Sequence, residues 1–157
     1  MGSLLPGAEA LGAPAPALPL WTEILALGLA PLAFAVLFRA HPRQIPWILI
    51  GGWIAYLSSR LGAHWVGPEM GAALGALLVG LYANLVSRWR DMPASVPLVP
   101  SIMLLVPGSL GFRAVNLLMA EDFAVGGREA FTAILVAVAL AMGLLVANSA
   151  LPPRREI

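Results

Sequence analysis

The sequence contains neither cysteine nor lysine. Without cysteine there is no disulfide, no thiolate nucleophile and no cysteine-based metal site, and redox chemistry does not report a compartment. All nine basic residues are therefore arginine. Charge is scarce altogether. Charged residues make up 11% of the 157 positions against 60% hydrophobic, too few to coat a water-soluble globule of this size. A net charge of +1 leaves no basic face for nucleic acid. His41 and His64 are expected in separate loops with no acidic cluster beside either, and no Ser-His-Asp or metal-ligand spacing occurs. An enzyme, a metal and a cofactor are not expected.

What is present is apolar and long. Runs at 20–38, 45–59, 69–87, 96–119 and 129–150 approach the ~20 residues that span a hydrocarbon core. Only internally bonded helices or closed barrels satisfy the backbone in lipid, and no short alternating strands suggest a barrel. The expected fold is all-α: a polytopic membrane helical bundle with about five transmembrane segments and a broken fourth helix. Residues 1–19 read as an extramembrane tail rich in Pro, Ala and Gly, 20–151 as the membrane domain and 152–157 as a cytoplasmic tail. Arg39, Arg43, Arg88, Arg90, Arg154 and Arg155 fall on one side of this arrangement, with Arg60 and Arg128 on the other. The positive-inside rule puts the first group in the cytoplasm, the N-terminus outside and the C-terminus inside. Trp21, Trp47, Trp65 and Trp89 sit at predicted helix ends, as an interfacial belt requires. Small residues recur at helical spacing: Gly71 and Gly75, Ala139, Gly143 and Ala147, and Gly51 with Ala55. They serve either packing within the bundle or a subunit interface.

The fourth run, "VPLVPSIMLLVPGSLGFRAVNLLM", is not built for crossing alone. Pro107-Gly108 near its middle removes a backbone donor and invites non-helical torsions, predicting two half-helices joined by unwound chain. Ser109 is placed to cap the second half. A helix start at membrane depth suits an anion. Arg113 lies about one turn on, and Asn116 about one turn beyond it. Together Pro107, Gly108, Ser109, Arg113 and Asn116 form a candidate site for a small carboxylate. The competing reading lets Arg113 snorkel to the interface and makes Pro107-Gly108 a plain turn. Glu23 and Glu69, each in the first turn of a run, are candidates for proton coupling, with helix-dipole compensation as the alternative. Asn84 and Asn148 are assigned to bonds between helices.

"LLVPGSLGFR", residues 104–113, resembles the Pro-Leu-Val-Pro-Gly-Ser-x-x-Tyr-Arg type of signature in the C-terminal membrane domain of the threonine/serine exporter family. The likeness runs over about residues 24–150 and includes "LFRAHPRQIPWILIGGW", a Gly/Ala-rich third run and "RDMPASVPLVPSIMLLVPG". Leu104 stands where proline is expected and Phe112 where tyrosine is usual. The length is similar to the small subunit of the split, two-chain members, a succinate exporter among them. The resemblance implies a subunit of a two-component secondary transporter that exports small carboxylates or amino acids across the bacterial inner membrane. Its partners would be a membrane subunit of the N-terminal-domain type, the substrate and the lipid bilayer. The alternative is a structural or assembly subunit without a transport path of its own.

Overall fold

The structure, a computed structural model, describes residues 20–90, 92–106, 108–120 and 123–152. These residues hold six α-helices and no strand. α1 (Leu20–Leu37) ends in a Schellman turn: Ala40 N–H donates to Ala35 O and Arg39 N–H to Val36 O, with Arg39 at φ 52°. This is the left-handed position that glycine normally fills. A single 3-10 turn, Pro42–Gln44, follows, capped by His41, whose Nδ1 accepts from Arg43 N–H while Gln44 Oε1 accepts from His41 N–H. That is the role of His41. α2 (Ile45–Trp65) and α3 (Pro68–Arg90) both carry proline in the first turn, Pro46 and Pro68, where it costs no donor. Between them Gly67 takes φ 121°, a torsion that other residues resist. α4 (Ser95–Leu105), α5 (Gly108–Met119) and α6 (Phe123–Ala150) complete the chain.

α3 is the centre of the bundle. Its Gly71 meets Ser59 and Ala63 of α2, its Gly75 meets Leu105 of α4, and its Gly80 meets Ala147 of α6. On α6 the facing stripe is Val136, Leu140, Gly143 and Ala147, all buried. Gly143 lies against Ala76, Gly80 against Ala147, and Asn84 against Asn148 and Leu151. Residue numbers rise together along both helices, so α3 and α6 run parallel. α5 runs antiparallel to the first half of α6, with Leu118 on Gly126 and Arg113 beside Glu129. One helix, α6, is thus gripped by two neighbours over different halves. The small-residue positions Gly71, Gly75, Gly143 and Ala147 pack within this chain. The inward stripe takes Val136 and Leu140, with Ala139 only half-buried.

The expectation of about five transmembrane segments is overturned. By length and composition, two described helices can cross a membrane: Pro68–Arg90 and Phe123–Ala150. Each of the other three runs fails for its own reason. In α1 the described apolar stretch is Ile24–Leu37, short of a crossing. α2 has 21 residues, but Ser58, Ser59, Arg60 and His64 dilute its last third. The fourth run is divided into helices of 11 and 12 residues, each about half of the ~20 that a crossing needs. The expected break is there, and it costs the run its status as a span.

Candidate functional site

α4 ends because Val106 turns extended (φ −61°, ψ 130°), its N–H still donating to Ile102 O at 3.0 Å. α5 begins at Gly108, and Pro107 lies outside the described residues. Beside this break is a cavity of about 330 Å³, lined by Ala26, Leu27 and Ala30 of α1, Tyr56 and Ser59 of α2, and Leu104 and Leu105 of α4. Its wall is mostly hydrocarbon. The polar groups are two hydroxyls one helical turn apart. Ser59 Oγ donates to Tyr56 O at 3.0 Å, and the Tyr56 hydroxyl accepts from Arg60 Nη1. The Arg60 guanidinium also lies 5.7 Å from the Tyr56 ring centre, so a cation flanks the cavity from the exposed side.

A second cavity, also about 330 Å³, occupies the opposite end of the same groove. It is lined by Phe38, Arg39 and Ala40 of the turn after α1, by Gln44, by Ile48 of α2, and by Ser95, Val96, Val99 and Pro100 of α4. Between the two cavities the helices touch. Ser101 is fully buried, donates to Pro97 O at 2.7 Å, and sits against Gly51. A Cβ on Gly52 would lie 2.7 Å from Pro31 Cγ and 3.2 Å from Leu104 Cδ1.

The expected site residues are dispersed. Gly108 starts α5, while the side chain of Ser109 lies outside the described residues. Arg113 Nε is 3.6 Å from Glu129 Oε1 of α6, with side chains 66% and 23% exposed, and Asn116 is exposed on α5. Neither Arg113 nor Asn116 lines the cavity at the break. Glu69 is in the first turn of α3, its carboxylate within 3.3 Å of where a Gly67 Cβ would stand, a position that compensates the helix dipole. The Glu23 side chain lies outside the described residues. Asn84 and Asn148 do bond between helices: Asn84 Nδ2 donates to Asn148 Oδ1 at 2.9 Å and to Leu151 O at 2.7 Å. Sequence reasoning missed Tyr56, Ser59 and Arg60. Their signal was present in the i, i+3, i+4 spacing, which stacks them on one helical face.

Two membrane-length helices beside an interrupted one fit a helical membrane protein. Residues 23–150 match the family described as threonine/serine exporter, ThrE, and the chain belongs to that family. It is a family of transporters. Pheromone-regulated membrane protein 10 of Pichia sorbitophila is 30% identical over 95 residues, which are 59% of this chain and 9% of that protein. The chain thus spans less than a tenth of that relative's length. No solved structure matches it.

Proposed function

We propose that the chain is the smaller subunit of a two-component exporter of small carboxylates or amino acids, working in a bacterial inner membrane. The break between α4 and α5 is its substrate site. The substrate's short carbon body lies against Leu104, Leu105, Tyr56 and Ser59, and its carboxylate meets Ser109 and the first N–H groups of α5; Arg113 and Asn116, which do not line the cavity, reach it through a movement of α5 at the break. The observation that carries this reading is family membership over nearly all the described helices, joined to a cavity at the interrupted one. Arg113 is paired with Glu129 at 3.6 Å, so a substrate carboxylate competes with that side chain for the guanidinium.

The end of the bundle with Arg39, Arg43, Arg88 and Arg90 faces the cytoplasm in this reading. Glu23 and Glu69 remain the candidates in this chain for carrying a proton. The other subunit is of the N-terminal-domain type. The much longer relative supports a second component, because the matching segment there is a small part of a larger chain.

The test is uptake and efflux of a panel of labelled acids in vesicles holding both subunits. Arg113→Ala should abolish transport. Arg113→Lys, which keeps the charge but loses the planar two-pronged donor, should reduce it sharply. Wild-type transport by Arg113→Ala would refute the site.

A further inference from the structure

The two cavities follow one strip of the fold: the first is lined by α1, α2 and α4, the second by the turn that follows α1, Gln44 of the 3-10 turn, Ile48 of α2 and the first half of α4. Along α1 they are separated by the rise from Ala30 to Phe38, about 12 Å. Contact closes the groove between them: the buried Pro31 on Gly52, Leu104 over the same glycine, and Ser101 against Gly51. We propose that this groove, whose helices α2 and α4 pack on the membrane-length α3, is the translocation passage of the subunit, with two waiting chambers and a proline–glycine constriction between them. The inference rests on the exporter reading and adds where the substrate travels.

The chemistry of the two ends differs. The chamber at the arginine-rich end offers the Arg39 cation, the Gln44 amide and the Ser95 hydroxyl before an apolar wall of Ile48, Val99 and Pro100. The chamber at the break has hydrocarbon and two hydroxyls, and no charged group among its described lining residues. A solute suited to both is a small organic anion of few carbons, its charge captured at Arg39 and its body sliding along hydrocarbon. Each chamber has the volume of roughly ten waters, enough for such a solute with part of its hydration.

Arg39 adds an independent observation. It occupies the left-handed torsion at the end of α1, where an arginine costs more than a glycine. Backbone outliers of this kind concentrate where function holds a side chain in place. Here the side chain lines a chamber.

The constriction is narrow because it is made of ring against backbone. A methyl group on Gly52 drives into Pro31 and Leu104, so the path has no slack at this level. α1 is the movable wall, since it meets α2 and α4 and nothing else among the described helices at comparable extent.

The absence of cysteine allows single cysteines to be introduced without background. Val99→Cys and Ala30→Cys would be made separately in the full chain, in right-side-out and inverted vesicles, and treated with a charged, membrane-impermeant thiol reagent. The expected result is that each reacts from one side only, and from opposite sides. Met142→Cys, on the bare apolar flank of α6, serves as the lipid-facing control and should react only with a neutral, permeant reagent. Pro31→Ala combined with Val99→Cys should lose sidedness, because the ring that closes the passage is gone. Reaction of both cysteines from the same side, or of neither except with the permeant reagent, overturns the passage. Sidedness unchanged by Pro31→Ala overturns the constriction. Labelling from opposite sides in vesicles that move no labelled acid sinks the exporter reading and leaves the passage; full transport with both cysteines shielded does the reverse.

Discussion

The seam between α3 and α6 and the groove between α1, α2 and α4 use the same small residues for opposite ends. At the seam, Gly143 and Gly80 bring backbone and methyl groups into contact along two turns, and Asn84 ties the far end to Asn148 and Leu151. In the groove, Gly51 and Gly52 make contact at one level alone, and space opens above and below it. Small residues in lipid permit close approach; they do not require it. What separates the two regions is the partner surface. α6 offers a continuous stripe, whereas α1 and α4 are each interrupted by proline, at Pro31 and Pro100. One region is closed for stability and the other is left hollow.

The strongest attack on this contrast is at the seam. Gly143→Leu forces a side chain into Ala73, Ala76 and Leu77 and should destabilise the bundle by about 3 kcal/mol, the upper range for overpacking. Thermal unfolding in detergent would register it, and a variant as stable as wild type would show that the seam is loose. Gly75→Leu meets the flexible end of Leu105 and should cost less in the same assay.

Removing the polar tie is the next largest change. Asn84→Ala leaves Asn148 Oδ1 and Leu151 O without the donor they share, at a cost of about 1–2 kcal/mol. Proteolysis of the C-terminal end of α6 should accelerate; unchanged resistance would mean the asparagine is replaceable.

In the groove the sign reverses. Arg39→Gly should stabilise the protein, by about 1 kcal/mol, since glycine accepts the torsion that arginine tolerates badly. Transport by the same variant should fall. Stability and activity moving together would remove the functional explanation of the outlier.

The smallest effect is expected at the helix ends. Arg90 stacks 5.0 Å from the Trp47 ring centre, and Arg90→Gln should cost about 0.5 kcal/mol, as for an exposed cation–π contact. A loss comparable to that of Asn84→Ala would mean that this end of α3 is more tightly enclosed than its exposure indicates.

Much of the helical plan was visible before the structure. The break at Pro107-Gly108 follows from local chemistry, and the first run matches α1 nearly to the residue. Two boundaries were missed in the same way. The second run was ended at Ser59, yet α2 continues to Trp65, because Ser58 and Ser59 return their hydroxyls to carbonyls of the preceding turn. The fifth was started at Glu129, yet α6 begins at Phe123, because α5 packs on Gly126 and shelters a segment that reads as loop. The count of crossings failed because an apolar run was equated with an unbroken helix long enough to span. The cavities were out of reach for a further reason. They belong to no single helix, and periodicity says nothing about where three helices leave a gap.

α6 is 28 residues long, a rod of about 42 Å, and it is clamped twice. Leu118 and Arg113 hold its upper half; Ala76, Gly80 and Asn84 hold its lower half. A stiff beam held at two points ties them together: the surface that meets α5 and the far tip, where Arg88 donates to the carbonyl of Pro152 at 2.8 Å, stand on one rod with no loop between them.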